Sequence, residues 1–247
     1  MDCLDRLPAA LAAVAPDVDA TVWARALHGY MVSSGLVTPR RAAMFLGQCA
    51  EESGGFTVLV ENLEYSANGL RKEWPSHFAP APGMPPAEDY AYQPEKIANW
   101  VYANRPDLGN GPVASGDGWR FRGAGIIQGT GRDFFTRLGA RVHRAPEDTW
   151  AWVQTPDGAA ASACWYWIDR GQLLTLSDSW DIETVTERIN GGETNLPERI
   201  KQCTRALEAF GAAAPAPAPP AAPEVTADEL MQQELDGTLQ VKPEGQT

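Results

Sequence analysis

Glu52 and Glu61 stand nine residues apart, in Gln48-Cys-Ala-Glu-Glu-Ser-Gly-Gly-Phe56 and Glu61-Asn-Leu-Glu-Tyr-Ser-Ala67. Two such carboxylates can act as the acid and the base of a hydrolysis if the chain folds back between them. In one straight helix they would lie about 13.5 Å apart. An acid and a base that flank a glycosidic bond, with a water between them, need roughly 6.5–9.5 Å. Ser53-Gly54-Gly55 is where the fold-back is expected, because glycine adopts the left-handed conformation that closes a helix. The negative end of that helix favours a protonated carboxyl, which makes Glu52 the candidate proton donor. Glu61 lies in a polar stretch with Asn62, Glu64 and Ser66 and is the candidate base. On spacing alone, two surface glutamates at the ends of local elements remain an open alternative.

The second chemically dense stretch is Gly116-Asp-Gly-Trp-Arg-Phe-Arg-Gly-Ala-Gly-Ile-Ile-Gln-Gly-Thr-Gly-Arg132. Its alternating glycines suit a backbone that runs close under a ligand. Gln128 and Thr130 offer neutral hydrogen-bonding groups there. A water that attacks a sugar carbon needs a base for its proton and a second group to orient it, and Thr130 suits that role beside Glu61. Thr130 also stands where a helix N-cap would, with Asp133 three residues on. The two roles are compatible.

The elements that must position these groups read as mostly helical up to about residue 210. Apolar periodicity and start signals predict helices over Leu4–Val14, Thr21–Ser34, Thr38–Glu51, Ala67–Trp74, Pro94–Asn104, Gly131–Val142, Ala159–Asp169, Ile182–Ile189 and Leu196–Phe210. Ser66 reads as a cap, Pro94 as a first-turn proline, and Asn195 with Glu198 as a variant capping box. Extended structure is expected only near Phe56–Val60 and Arg120–Gln128. Pro75–Pro86 and Arg105–Gly118 read as long irregular loops.

At 247 residues the chain can hold one sizeable core with appendages. A net charge of −12 argues against nucleic acid as a partner and leaves no basic patch for a membrane surface. No apolar run is long enough to span a bilayer. The acidic start Met1-Asp-Cys-Leu-Asp-Arg reads as lacking a signal peptide, so synthesis in the cytoplasm is expected. The four cysteines, Cys3, Cys49, Cys164 and Cys203, and three isolated histidines show no ligand spacing. Free, mostly buried thiols are expected, with no metal and no cofactor. Nine tryptophans are many for this length; each can be a sugar platform or, more simply, part of a core. Gly211–Pro223 reads as a stiff Pro/Ala linker of roughly 40 Å reach. Residues 224–247 read as an acidic tail, either disordered or folding on a peptide partner, and dispensable for catalysis.

The ordered set of motifs resembles glycoside hydrolase family 19, the chitinase class I-like catalytic domain, in its bacterial and phage endolysin branch. Besides the two glutamate motifs, the matching runs are Pro94-Glu-Lys-Ile-Ala-Asn99, Val101-Tyr-Ala-Asn-Arg105, Gly109-Asn-Gly111, Ser115–Arg120, Arg122–Arg132 and Ile189-Asn-Gly-Gly192 with Arg199, within residues 38–205. The resemblance implies a mainly α, lysozyme-like fold of two lobes with a small extended element lining a cleft. It implies inverting hydrolysis of β-1,4 bonds next to N-acetylated amino sugars, with Glu52 as acid, Glu61 as base and Thr130 as the water-positioning hydroxyl. It places Tyr65, Gln128 and Asn190 at sugar subsites and Arg199 near the acid. Three positions depart from the family pattern: Glu51 replaces a histidine, Ala124 an arginine, and Asp133-Phe134-Phe135 the usual asparagine. The expected activity is that of a monomeric endolysin acting on peptidoglycan, with chitin as the competing polymer, reaching the wall through a holin or a secretion apparatus. A catalytically dead glycan-binding protein and a lytic transglycosylase, which needs one acid and releases an anhydro sugar, are the rivals.

Overall fold

The computed structural model describes residues 2–78, 81 and 83–215. Its α-helices, in chain order, are α1 (Leu7–Val14), α2 (Ala20–Ser33), α3 (Pro39–Glu52), α4 (Ala67–Glu73), α5 (Pro75–Phe78), α6 (Pro94–Val101), α7 (Asp117–Arg120), α8 (Arg132–Val142), α9 (Pro146–Trp152), α10 (Pro156–Asp169), α11 (Leu173–Ser179), α12 (Ile182–Asn190) and α13 (Leu196–Ala209). The mainly helical reading holds. Four helices that the sequence reading left out are short: α5 and α7, of four residues each, fall where irregular loops were expected, and α9 and α11 lie between stronger helices. Even α9 and α11 are only seven residues long, too short for a clear apolar period. The linker from residue 216 and the acidic tail lie outside the described residues.

The apolar side chains form two cores. The larger holds residues such as Leu11, Leu27, Phe45, Leu138, Trp167 and Leu207, drawn from α1, α2, α3, α8, α10 and α13. The smaller holds Leu63, Leu70, Phe78, Ala87, Ile97, Ala98 and Val101. All nine tryptophans belong to one of these cores or pack against it, so the simpler reading of their number prevails. The chain crosses between the cores twice near the candidate site. Leu59 packs on the larger core and Leu63 lies in the smaller, with Glu61 between them. Trp119 packs on the smaller core and Phe121 lies in the larger.

The extended reading of Phe56–Val60 is corrected. Phe56 is buried with φ +66°, and its N–H is capped by the Ser53 hydroxyl at 3.0 Å. A turn forms here because Gly54 and Gly55 have already left the helix, and the aromatic ring is drawn edge-on against Trp23, 5.0 Å away. Among the described residues the extended element amounts to two single-residue antiparallel bridges, Val60 with Ala124 and Ala124 with Gly129.

The loop over residues 105–118 is better organised than its composition indicates. Asp117, 3% exposed, accepts from Gly111 N at 2.9 Å, from Arg120 Nη1 at 3.3 Å and from Arg132 Nε at 3.0 Å. One buried carboxylate therefore ties the loop to the start of α8, directly after Thr130.

Candidate active site

Glu52 is the last residue of α3, and its position follows from helix packing. Thr38 caps α3 through Arg41 N, Pro39 opens it, and Ala42–Ala50 are all buried. Helix α13 packs directly on it. An ideal Cβ on Gly47 would lie 2.5 Å from Cys203 Sγ and 2.6 Å from Cys203 N, so only glycine admits this approach. Gln48 and Glu52 share a face of α3 at a spacing of four, as Arg199 and Cys203 do on α13. The close approach therefore sets Arg199 against both α3 side chains. Arg199 Nη2 donates to Glu52 Oε1 at 2.5 Å, Nη1 to Gln48 Oε1 at 2.6 Å, and Nε to Thr194 O at 3.0 Å. Gln48 Nε2 in turn donates to Thr186 Oγ1 at 3.0 Å, and Thr186 donates to Ile182 O. Arg199 is 3% exposed, so it reaches a ligand only through Glu52. The guanidinium is a cation that the helix-end reading of Glu52 did not contain. Glu51 turns the other way and accepts from Asn195 Nδ2 at 2.9 Å.

Glu61 is held by backbone and by one phenol. Its N–H donates to Gly123 O at 2.9 Å, while its Oε2 accepts from Gly123 N at 3.0 Å and its Oε1 from the Tyr102 hydroxyl. Gly125 N donates to Leu59 O at 3.0 Å, which fastens the two crossings together. Gly123 is the centre of the cluster. A Cβ there would lie 3.1 Å from Gln128 Oε1, 3.3 Å from Glu61 Cβ and 3.3 Å from Thr130 Oγ1. The glycine-rich run thus brings Glu61, Gln128 and Thr130 around one α-carbon. Thr130 donates to Gln128 O at 3.0 Å, which commits its proton and leaves its lone pairs as acceptors. Arg122 lies nearby, its guanidinium 3.6 Å from the Trp119 ring centroid and 4.4 Å from that of Trp150. Burial pulls this guanidinium below its usual range, and the charge of Glu61 opposes that pull.

The N-cap reading of Thr130 is corrected: Gly131, at φ +95°, is the cap residue of α8 and no side chain caps it. The Asn195 capping box does not form either, because Asn195 is left-handed and its amide serves Glu51. Tyr65 packs edge-on against Trp74 at 5.0 Å, and burial, then Glu73 and Glu61, push its phenol up. The amide nitrogen of Gln128 goes to Val58 O at 3.1 Å and Gly125 O at 2.8 Å, leaving Oε1 for a ligand. Asn190, exposed at the end of α12, donates to Gly192 O at 3.4 Å and makes no hydrogen bond to the other candidates among the described residues. A small cavity of about 50 Å³ lies beside Thr130. It is lined by Thr130 and by Tyr166, whose phenol burial pushes up and whose surroundings include Glu52. Phe134, at one of the departing positions, also lines it and lies directly over Gly129. Tyr102, Gln48, Thr186 and Arg122 were not singled out from the sequence. For Gln48 the signal was present, four residues before Glu52.

A protein of Haemophilus influenzae described as a glycosyl hydrolase family 19 domain-containing protein is 40% identical over 179 residues, 72% of this chain and 84% of the relative. The chain belongs to glycosyl hydrolase family 19. No family model matches it. Among solved structures, chitinase C from Streptomyces griseus aligns with a TM-score of 0.54 at 16% identity, covering 84% of this chain and 94% of that one. A bacterial family 19 chitinase aligns equally well, covering 84% and 96%. These likenesses show the mainly helical, lysozyme-like fold of the family. Family 19 membership implies glycosidase chemistry for the chain.

Proposed function

We propose that this family 19 chain is an inverting, endo-acting glycosidase that cuts β-1,4 bonds in N-acetylated amino-sugar polymers, peptidoglycan first among them. The observation that carries the reading is the meeting of Glu61 and Thr130 around Gly123, with the Thr130 proton already committed to Gln128 O. A water placed there donates one hydrogen to Glu61 and the other to Thr130 Oγ1, which leaves an oxygen lone pair aimed away from both. Attack on the anomeric carbon forms the new C–O bond as Glu61 takes the proton. The bond to the leaving sugar breaks from the opposite face, and its oxygen takes the proton of Glu52. Arg199 fixes Oε1 of Glu52, while among the described residues Oε2 has no partner and is free to carry that proton. Tyr65, Gln128 Oε1 and Asn190 are assigned to sugar contacts.

Chitin is the second reading, favoured by the matched structures, which are chitinases. Proton NMR of the first-formed product tests the mechanism: the α-anomer is expected from a β bond, and a β-anomer refutes inversion. Mass spectrometry of products from purified murein and from chitin oligomers decides the polymer. An anhydro sugar from murein would replace hydrolysis with transglycosylation.

A further inference from the structure

The Tyr102 hydroxyl donates to Glu61 Oε1, a contact with no role in the acid–base pair as described above. Helix α6 ends at Val101, and Tyr102 is its C-cap residue, with its N–H on Ala98 O at 3.1 Å. Its carbonyl accepts from Asn110 Nδ2 at 3.0 Å, and its ring packs on the smaller core. Backbone and ring are thus held from both sides, and the direction of the hydroxyl is fixed with them. The other carboxylate oxygen is held by Gly123 N at 3.0 Å. Two donors from different elements define the plane of the Glu61 carboxylate, and each oxygen keeps lone-pair capacity.

We propose that Tyr102 is the positioning residue of the base: its hydroxyl holds Glu61 in the one rotation that presents a free lone pair to the water shared with Thr130. The proposal rests on Glu61 being the base. Burial first, and then the charge and hydrogen bond of Glu61, hold the phenol well above its usual range, so it remains a donor across the working pH range. The other groups facing this pair are Arg122, Tyr65 and, on the Tyr102 side, Arg105. Among the described residues none of them donates a hydrogen bond to Glu61, so none replaces the phenol.

The test is Tyr102→Phe in the full chain, which removes one oxygen and keeps the ring in the smaller core. The expected result is kcat lower by about ten-fold with KM unchanged, from loss of one hydrogen bond to a charged group. The acid limb of the rate profile should move to higher pH, because a donor to the carboxylate form is gone. Replacing Tyr102 by 3-fluorotyrosine, a stronger donor, should move that limb to lower pH without loss of fold. In a Glu61→Gln background, Tyr102→Phe should have no further effect on the residual rate. A folded Tyr102→Phe protein with wild-type kcat and an unmoved acid limb overturns the proposal, even if its melting temperature falls. Wild-type turnover by Glu61→Gln itself overturns the base assignment instead, so the two failures are told apart.

Discussion

Glu52 is fixed by a side chain reaching across a helix–helix interface, whereas Glu61 is fixed by backbone from a glycine-rich turn and by one phenol. The first arrangement uses regular spacing: Gln48 and Glu52 on one helix meet Arg199 on another, with Gly47 setting how close the helices come. The second uses irregular backbone, where Gly123, Gly125 and Gly131 let two chain crossings touch. The proposed acid is held by buried charge, and the proposed base by a backbone amide and a phenol. A proton donor can tolerate a firm grip on one oxygen. A base that must meet a water needs its plane defined and its surroundings open, and glycines supply that room.

The largest test of this contrast is removal of each carboxyl. Glu52→Gln and Glu61→Gln should each lower turnover by about 10²–10⁴-fold while the protein stays folded, as read by oligosaccharide hydrolysis and circular dichroism. Glu52→Gln should also leave Arg199 without its anion and lower the melting temperature, whereas Glu61→Gln keeps one acceptor oxygen and should not. Lysis at the wild-type rate by folded Glu52→Gln would remove it as the acid. Thr130→Val comes next, with an expected loss of about ten-fold or more in kcat and little change in binding of a non-hydrolysed oligosaccharide. Because Gly131 and not Thr130 caps α8, this variant should show little of the roughly 1 kcal/mol stability loss that follows loss of a side-chain cap.

The two sides also differ in what could be read in advance. The helix carrying Glu52 and the glycines that follow it were legible, because each depends on local chemistry: a proline at N1, a threonine cap and a left-handed turn. The gathering of Gln128 and Thr130 about Gly123 was legible only as a glycine pattern. The position of Tyr102 depends on where α6 ends. The sequence reading continued that helix to Asn104, whereas the turn closes at Val101 and releases Tyr102 toward Glu61. The apolar, β-branched run at Phe56–Val60 misled for a similar reason. Burial of Phe56 against Trp23 overrode the strand preference of that segment. The grip of Arg199 on Glu52 links residues 147 apart in the chain, which no local pattern encodes.

A pair of glycine substitutions sharpens the contrast. In Gly47→Ala the new methyl meets Cys203 Sγ, N and Cα at 2.5–2.7 Å, two of them backbone atoms or bonded to the backbone, so α3 and α13 must move apart. The expected cost is about 3 kcal/mol in urea unfolding, at the upper end of over-packing effects, with lower activity as Arg199 draws away from Glu52. In Gly123→Ala the contacts are 3.1–3.3 Å, to Gln128, Glu61 and Thr130 side-chain atoms that can yield by a few tenths of an ångström. Stability should then change by less than about 1 kcal/mol while kcat falls, since the atoms that yield are those proposed to hold the water. Equal stability losses in the two variants would show that the base side is as tightly packed as the acid side.

The smallest expected effect separates the two sides by pH. Asp117 ties the loop before α8 to Gly111 and Arg132, and so supports the base side alone. The Arg132 hydrogen bond is the main influence holding its carboxyl below the ordinary value of 3.8. A carboxylate with a depressed folded-state value adds stability above its unfolded-state value and loses it as pH falls through the folded-state one. The contribution should therefore be complete at neutral pH, begin to fall near pH 3.8, and be gone only below the depressed folded-state value. Asp117→Asn should cost about 1.5 kcal/mol at pH 7, from loss of charge-assisted hydrogen bonds, and almost nothing where the wild-type carboxyl is already protonated. Hydrogen exchange gives the spatial reading: the Gly111 amide should lose protection on acidification and in Asp117→Asn, while amides in the middle of α3 stay protected. Loss of protection in α3 together with Gly111 would mean that the two sides unfold as one unit, and the contrast between them would then be one of chemistry only.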